Sequence, residues 1–504
     1  MIEWCNDIAA GLMHALQFGV FLAALIGVLV GIIIGILPGL GPPVAISLAI
    51  PLTYGFDPLI GMSVMLGIYK GGTYGGSISA ILINTPGTPA ASATVLDGFP
   101  LAKQGKAGKA LDIALYGSVF GDAFSIMLLC VIAQPIASIA ARFGPVELFS
   151  LLLFAMTIIA GLAGKSMFKG LIAACFGLAF SIIGIDPVEG LPRFTFNTVF
   201  LESGLSVIPV IVGLFAISEL MSQIEAGSVM SGTGSSVPMS RNKEDNYATR
   251  ADLKRCLPVF LQSSTLGAFI GALPGTGSAA AAFIGYGMAK KRSRHPEEFG
   301  KGSIEGVAAA ESGNNAVCGG ALIPMLTLGI PGDVVTAILM GALMLHGINT
   351  GPSVFTEHRA FVFTLFGMLL VSIFMLLILG KIAIRACRRL TELPQVYIST
   401  VVILLCVVGT YAASSMITDV WIMLFFGIVG FLCVKLDIPL PPFIIAFIIA
   451  PKMEQSFRQA MVISSGDPSV LVTHPISAFF LALTGFAVIR ICISQMKARQ
   501  KNRA

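Results

Sequence analysis

Charged side chains are scarce in this sequence, and their scarcity excludes an ordinary water-soluble protein. Asp, Glu, Lys and Arg make up 11% of the 504 residues, whereas 56% are hydrophobic. A soluble chain carries about 25% charged residues. The mean hydropathy is +0.90, and apolar runs near the roughly 20 residues that cross a bilayer recur along the whole chain. The composition therefore predicts an all-α polytopic membrane protein.

Motifs for catalysis and metal binding are also missing. The nine cysteines include no C-x-x-C pair, and the five histidines lie near the ends of apolar segments. The sequence contains no H-E-x-x-H motif and no nucleophile elbow, and Gly271–Ser278 lacks the lysine of a phosphate-binding loop. We therefore expect no enzyme, no cofactor and no transition metal. The net charge of +5 comes from bases in short loops, which set membrane orientation and do not indicate nucleic-acid binding.

A stretch rich in glycine and proline occurs twice. Gly35–Gly41 reads GILPGLG and Gly271–Gly277 reads GALPGTG, and each closes a long apolar run. Proline removes a backbone donor and glycine releases the helical constraint, so we expect a helix to break at each copy. Asn84–Gly87 and Gly329–Gly332 form a second matching pair. The sequence thus predicts two halves related by a repeat of roughly 240–250 residues.

The basic residues predict that the two halves have opposite orientations. Lys290–Arg294 follow the first apolar pair of the second half, but the equivalent Thr53–Asp57 contain no base. Conversely, Lys103–Lys109 end the next segment of the first half with three lysines, whereas His346–Gly351 carry no lysine or arginine. Because bases mark the cytoplasmic side, corresponding loops are expected on opposite faces. Inverted repeats with matching breaks are typical of transporters that bind substrate between broken helices.

The predicted organisation has four parts. Residues 1–221 form the first inverted repeat, 222–255 a cytoplasmic linker, 256–473 the second inverted repeat, and 474–504 an additional C-terminal helix with a basic cytoplasmic tail. Each repeat is expected to contain a re-entrant hairpin, a discontinuous helix and several further helices. The hairpins are 10–53 and 256–289, the discontinuous helices are 58–97 and 303–346, and the further helices extend to 218 and 464.

Some details of this organisation are predicted separately. Within 303–346, interruptions are expected both near Gly313–Asn315 and at Gly329–Gly332, and Lys452–Arg458 after Pro451 suggest a third break. An alternative treats 10–37 as an ordinary span, because its 28 residues exceed the roughly 20 needed to cross. The first residues lack the basic region of a signal peptide, so the first helix is expected to be retained.

Neutral polar residues surround the predicted breaks, and we interpret them as a substrate site. Helices that restart after a break would point positive N-terminal ends at the middle of the bilayer and bind carboxylate without a fixed cation. One such end contributes only about 0.3–1 kcal/mol, so several must converge. The alternative is that these positions only pack and kink the helices. The predicted substrate-binding residues are Pro38, Gly39, Gly41, Thr73, Ser77, Asn84, Thr85, Thr88, Gly275, Thr276, Gly277, Ser278, Asn314 and Asn315.

Few ionisable residues lie at membrane depth. Lys70 is in the middle of an apolar segment, where a lysine costs about 2.5–3.5 kcal/mol. It is predicted either as a substrate counter-ion or as the structural partner of an internal acid such as Glu311. Glu311, together with Gly332, is predicted to bind a coupling cation or proton, and a purely structural role for Glu311 is the alternative. Asp333 is expected to cap a helix rather than to bind a ligand.

Seven stretches carry a family resemblance. They are Gly35–Pro43, Tyr69–Ser77, Asn84–Pro89 and Asp97–Pro100 in the first half, and Leu273–Gly277, Glu311–Asn315 and Leu328–Gly332 in the second. In these stretches, and over nearly all of its length, the chain resembles the large membrane subunit of tripartite tricarboxylate transporters, the TctA family.

The resemblance implies a secondary transporter of the bacterial inner membrane, driven by a sodium or proton gradient. A periplasmic solute-binding protein would deliver the substrate, and a small membrane subunit would accompany the large one. Citrate and related tricarboxylates are the founding substrates, while other members import dicarboxylates, aromatic acids or other small anions. Two alternatives are a self-sufficient carboxylate symporter that needs no soluble receptor, and a membrane channel or enzyme.

Overall fold

A computed structural model describes residues 2–37, 39–162, 166–186, 189–225, 243–390 and 395–501, and most of them are helical. The helices before the central linker are α1 (Ile2–Ala15), α2 (Phe18–Ile36), α3 (Pro42–Thr53), α4 (Pro58–Ile83), α5 (Ala91–Leu101), α6 (Ala107–Ala140), α7 (Pro145–Leu162), α8 (Met167–Ser181), α9 (Val199–Glu202), α10 (Val207–Ile211) and α11 (Ser218–Glu225). π-Helical segments join α5 to α6 (Ala102–Lys106) and α10 to α11 (Val212–Ile217).

The remaining helices begin at Lys243. They are α12 (Lys243–Asn246), α13 (Arg250–Ala272), α14 (Gly277–Arg292), α15 (Ile304–Leu328), α16 (Val334–Leu345), α17 (Val354–Glu357), α18 (Arg359–Leu390), α19 (Gln395–Ser414), α20 (Ile417–Lys435), α21 (Leu440–Ile463), α22 (Val470–Thr473) and α23 (Pro475–Lys501). A 3-10 turn covers Pro296–Glu298, and a short antiparallel hairpin joins β1 (Gly184–Ile185) to β2 (Pro192–Arg193).

The lengths and polarity of the helices confirm an all-α polytopic membrane protein. Among the described residues, five helices are long and apolar enough to cross a bilayer: Phe18–Ile36, Ala91–Ala140, Val207–Glu225, Arg359–Ala386 and Ile417–Lys435. Large apolar side chains such as Phe374 and Trp421 lie exposed on these helices, 68% and 67% accessible. Such exposure suits contact with lipid.

Four predicted breaks in the helices are present, at the places where the glycine and proline motifs stand. α2 ends before α3, α4 before α5, α13 before α14, and α15 before α16. The ends of α4 and α15 are alike, because Asn84 (φ 57°) and Gly329 (φ 70°) both close a helix in the left-handed conformation. These two residues are also equivalent in the sequence repeat. Both helices therefore end with the same type of left-handed C-terminal residue.

Matching glycines hold the broken segments together. A Cβ placed on Gly87 would lie 2.1 Å from the carbonyl oxygen of Gly35, and one on Gly332 would lie 2.5 Å from that of Gly271. The two contacts involve equivalent residues in the two halves. Gly31 and Gly35 likewise bring α2 against the backbone of α4, as small residues four positions apart on one helix face permit. The inversion of the halves and the assigned domain bounds remain predictions.

The interruptions predicted at Gly313–Asn315 and after Pro451 were wrong. α15 continues from Ile304 to Leu328, and α21 continues through Pro451. A glycine costs a helix only about 1 kcal/mol relative to alanine, and Gly313 allows close packing, since a Cβ on it would lie 3.1 Å from the carbonyl oxygen of Ala281 in α14. The last helical segment of the first half begins at Val207, after the β1–β2 hairpin and α9.

The two predicted hairpins have unequal arms. α2, with 19 residues, is about 28 Å long and by itself approaches the roughly 30 Å of the hydrocarbon core. α3 has 12 residues, or about 18 Å. In the second half, α13 has 23 residues and α14 has 16. α2 is therefore long enough to cross the bilayer, as the alternative prediction of an ordinary span requires. α3 is too short to cross it.

Candidate binding site

The breaks in the two halves meet at one cavity of about 390 Å³. Its volume lies within the roughly 300–1,000 Å³ typical of small-molecule sites. From the first half it is lined by Pro42, Pro43, Tyr69, Thr73, Thr88 and Pro89, and from the second by Gly275, Thr276, Gly277, Ser278, Ala279, Asn314, Asp333, Val334, Val335, Pro441 and Ile445. Seven of the predicted substrate-binding residues are in this lining.

The N-terminal ends of α3, α5, α14 and α16 all lie at this cavity, and three of them are already capped or lack donors. The Thr88 hydroxyl accepts from the Ala91 amide at the start of α5 (3.3 Å). The Asp333 carboxylate accepts from the Thr336 amide at the start of α16 (2.8 Å), as its predicted capping role requires. α3 begins with Pro42 and Pro43, which carry no N–H.

The N-terminus of α14 is the exception. Thr276 stands at its N-cap but makes no side-chain bond to the first turn; its hydroxyl donates instead to the carbonyl oxygens of Ile270 (2.7 Å) and Leu273 (3.0 Å). The first N–H groups of a helix have no partner within the helix. Those of Gly277, Ser278 and Ala279 therefore remain available at the cavity, together with the positive end of the helix dipole.

Asn314 supplies a second available group. This residue is 1% exposed and lines the cavity, and neither its Oδ1 nor its Nδ2 has a hydrogen-bond partner. A buried polar group without a partner costs about 1–3 kcal/mol. The neighbouring Asn315 is different, because its amide donates to Ser118 Oγ (2.9 Å) and to the Glu311 carbonyl (3.1 Å). Asn314 is therefore the amide that a guest molecule can satisfy.

Tyr69, Thr73 and Asp333 complete the polar wall of the cavity. The Tyr69 hydroxyl donates to Asp333 Oδ2 (2.7 Å), and the Thr73 hydroxyl donates to the Tyr69 carbonyl (2.7 Å). The first bond joins α4 to the start of α16 across the two halves, and the second lies within α4. The Tyr69 hydroxyl thus fixes Asp333 so that its carboxylate borders the cavity while it caps α16.

Gly39 and Gly41 line a neighbouring cavity of about 360 Å³. This second cavity shares Pro43, Thr88 and Pro89 with the first, so the two are adjacent. Gly39 faces Glu219 and Gln223 of α11. Pro38, the remaining predicted residue of this stretch, lies outside the described residues.

Glu311 lies one helical turn from Asn314 and is fully buried. Its Oε1 accepts from the hydroxyls of Ser77 (2.5 Å) and Thr94, and its Oε2 accepts from Ser118 (3.0 Å). These donors come from α4, α5 and α6. Among the described residues, no Lys or Arg forms an ion pair with this carboxylate. The sequence pointed to Ser77 and Glu311 but not to Thr94 or Ser118, which look like ordinary small residues in apolar segments.

Lys70 does not reach the cavity and does not contact Glu311. Its ammonium group pairs with Asp122 of α6 (2.8 Å) and donates to the carbonyl of Leu369 in α18 (2.7 Å). Both partners of the ion pair are 1% exposed. The predicted structural pairing is thus present, with Asp122 as the acid. Asp122 is visible in the sequence as an acid within a long apolar stretch, but nothing there pairs it with Lys70.

The remaining predicted residues lie away from the cavity lining. Asn84 and Thr85 are exposed at the end of α4, where Asn84 closes the helix and the Thr85 hydroxyl donates to the Ile83 carbonyl. Gly332 is buried, and its carbonyl accepts from the Gly275 amide (2.9 Å). Gly332 therefore holds the loop before α14 against the loop before α16.

The fold and the cavity define a multi-pass membrane protein with a polar site at broken helices, which is the arrangement of a carrier. A model of the tripartite tricarboxylate transporter TctA family matches residues 21–445. The chain belongs to this family, which is a transporter family and not an enzyme family. Membership makes the chain the large subunit of a tripartite tricarboxylate transporter.

Two relatives come from Agrobacterium vitis. An uncharacterized 52.8 kDa protein in the TAR-I ttuC' 3' region is 34% identical over 493 residues, covering 98% of this chain and 97% of that protein. An uncharacterized protein in the TAR-II ttuC' 3' region is 34% identical over 234 residues, covering 46% of this chain and 97% of that protein. No solved structure matches the chain.

Proposed function

We propose that this chain is the permease of an importer for citrate or a related carboxylate, driven by a cation gradient and supplied by a periplasmic binding protein. One observation carries the proposal: the uncapped start of α14 at Gly277 and the unpartnered amide of Asn314 line the same cavity. Backbone N–H groups at a helix start and a side-chain amide are donors that a carboxylate accepts from.

The expected strength of this site suits a permease. A partly buried helix end contributes up to about 2 kcal/mol to anion binding, and a hydrogen bond to a charged group contributes about 1.5–3 kcal/mol. Their sum of about 3.5–5 kcal/mol is close to the roughly 4 kcal/mol of millimolar binding. A docked binding protein raises the local substrate concentration, as any tethered partner does. Weak binding in the permease therefore still permits uptake.

The charge at the cavity favours cation coupling. A substrate carboxylate about 4 Å from the Asp333 carboxylate would be repelled by roughly 4 kcal/mol at an effective dielectric constant of 20. A cation or proton bound with the substrate removes that cost. Glu311 is a second buried acid without a cationic partner among the described residues. We assign the coupling sodium ion or proton to Glu311, with Gly332 as a second residue of the coupling site.

The proposed location is the bacterial inner membrane, with the C-terminal tail in the cytoplasm and a small membrane subunit bound alongside. The predicted hairpins and broken helices, α2–α5 and α13–α16, would move as one unit against the remaining helices. A cysteine crosslink between α3 and α19, which meet where Gly409 approaches Pro51, tests this motion. We expect the crosslink to abolish uptake without unfolding the protein. Undiminished uptake would contradict the sliding motion.

Uptake of radiolabelled citrate tests the function directly. Cells that express all three components should accumulate citrate, and cells that lack the binding protein or the small subunit should not. Varying sodium at fixed pH, and then pH at fixed sodium, identifies the coupling ion. Accumulation by proteoliposomes that contain this chain alone would favour the self-sufficient symporter. Transport that ignores both gradients would contradict the proposal.

A further inference from the structure

A groove of about 1120 Å³ lies between α13 and α14. Its lining includes Lys254, Arg255, Leu261, Phe269, Arg292 and Arg294. None of them lines the cavity described above. The groove is therefore a separate feature that the proposed function does not use.

The basic residues of the groove are gathered at one end. α13 begins and α14 ends at this end, so that Lys254 and Arg292 lie at the same surface. Arg255 is neutralised by Glu298 (2.6 Å) and Glu305 (2.7 Å). Arg292, in contrast, has only a weak contact with Gln262 (3.4 Å). Among the described residues, Lys254, Arg292 and Arg294 form no ion pair, so this end of the groove carries uncompensated positive charge.

The rest of the groove is mostly apolar. Leu261 and Phe269, two turns apart on α13, are 52% and 64% exposed, and both line the groove. Lys254 and Phe269 are 15 positions apart in this helix, which is about 22 Å along its axis. Half of the hydrocarbon core is about 15 Å and the polar region adds several ångströms. The groove therefore has the depth of one lipid leaflet.

We infer that this groove is a binding site for an anionic phospholipid, with the headgroup phosphate at Lys254, Arg292 and Arg294 and an acyl chain along Leu261 and Phe269. Basic pockets between membrane helices recognise anionic headgroups in this way. Neither a zwitterionic lipid nor a free phosphate matches both ends of the groove. The first brings no net negative charge, and the second has nothing to place against the apolar end.

Tryptophan quenching by brominated lipid tests this site. Phe269→Trp places a fluorophore at the apolar end, and the signal of the two native tryptophans is subtracted with the unsubstituted protein. The purified full-length chain is reconstituted in phosphatidylcholine vesicles that contain a small fraction of brominated phosphatidylglycerol or brominated phosphatidylcholine. We expect the brominated phosphatidylglycerol to quench at a much lower fraction than the brominated phosphatidylcholine.

The charge requirement is tested in the same protein. Each Lys or Arg that contacts the headgroup in the groove should contribute about fivefold to the preference for the anionic lipid, so Arg292→Gln with Arg294→Gln should lower it about 25-fold. Lys290→Gln with Lys291→Gln is the matched control, because these exposed neighbours lie outside the groove and should change it less than fivefold. Equal quenching by both lipids or an equal loss in the control would overturn the assignment. Exclusion of both lipids when the small subunit is reconstituted together with the chain would also overturn it.

Discussion

Two adjacent asparagines should respond in opposite ways to the same substitution. Asn314 is buried at the cavity without a hydrogen-bond partner, whereas Asn315 donates to Ser118 and to the Glu311 carbonyl. Both lie inside α15 and both are 1% exposed. Asn314→Ala and Asn315→Ala therefore remove the same atoms from the same helix at the same depth, which makes each a control for the other.

The magnitudes follow from these contacts. Removing an unsatisfied buried amide relieves about 1–3 kcal/mol, and alanine is a better helix former than asparagine by roughly 0.5 kcal/mol. The lost packing offsets part of this gain, so Asn314→Ala should leave stability unchanged or raise it by up to about 2 kcal/mol. Asn315→Ala breaks two satisfied bonds and should lower stability by about 1–3 kcal/mol.

The two substitutions should affect transport in the opposite order, with Asn314→Ala the more harmful to uptake. If the Asn314 amide binds a substrate carboxylate, its loss removes about 1.5–3 kcal/mol, which raises KM for uptake about 10- to 150-fold. Thermal unfolding of the purified protein and initial rates of citrate uptake by the three-component system are the two measurements. If Asn314→Ala were as destabilising as Asn315→Ala and left KM unchanged, the assignment of Asn314 to the substrate would be refuted.

Three further predictions concern the acid, the close contacts and the ion pair. Glu311→Gln keeps the shape of the side chain within its hydroxyl network but removes the carboxylate charge. Citrate exchange should therefore persist in counterflow assays while net accumulation is lost. Normal accumulation would contradict the coupling role. Gly87→Ala would put a Cβ 2.1 Å from a carbonyl oxygen, whereas a Cβ at Gly55→Ala meets nothing within 4 Å. Thermal unfolding should therefore show that Gly87→Ala lowers the free energy of unfolding by about 1–3 kcal/mol and that Gly55→Ala does not. Lys70→Met should destabilise the protein by about 3–5 kcal/mol by leaving Asp122 unpaired, and adding Asp122→Leu should restore much of the folded yield.

The breaks were predictable from the sequence because proline and glycine act locally. A helix loses a donor or a backbone constraint where these residues stand, whatever surrounds them. The starts of α3, α14 and α16 and the ends of α4 and α15 follow from such positions. The same reasoning failed for the glycine at 313, since a lone helical glycine can serve close packing as readily as it permits a break.

The partners of the buried charges could not be predicted, because they depend on how distant helices meet. Lys70 was correctly identified as a buried cation, but its acid lies on α6 and not on α15. Glu311 was identified as a site residue, but two of its three hydroxyl donors, Thr94 and Ser118, carry no signal in the sequence. Hydroxyl groups within apolar helices are more often bonded to their own backbone.

The sequence repeat also explains why only one half of the proposed site keeps free backbone donors. Gly41 is equivalent to Gly277, so Pro42 and Pro43 stand where the second half has Ser278 and Ala279. The prolines remove two N–H groups from the start of α3, while the start of α14 keeps both. Both helix ends lie at the same cavity, but only the second can donate to a carboxylate. Two halves that share their breaks can thus still differ in chemistry, and in the proposed function the anion lies beside α14 and Asn314.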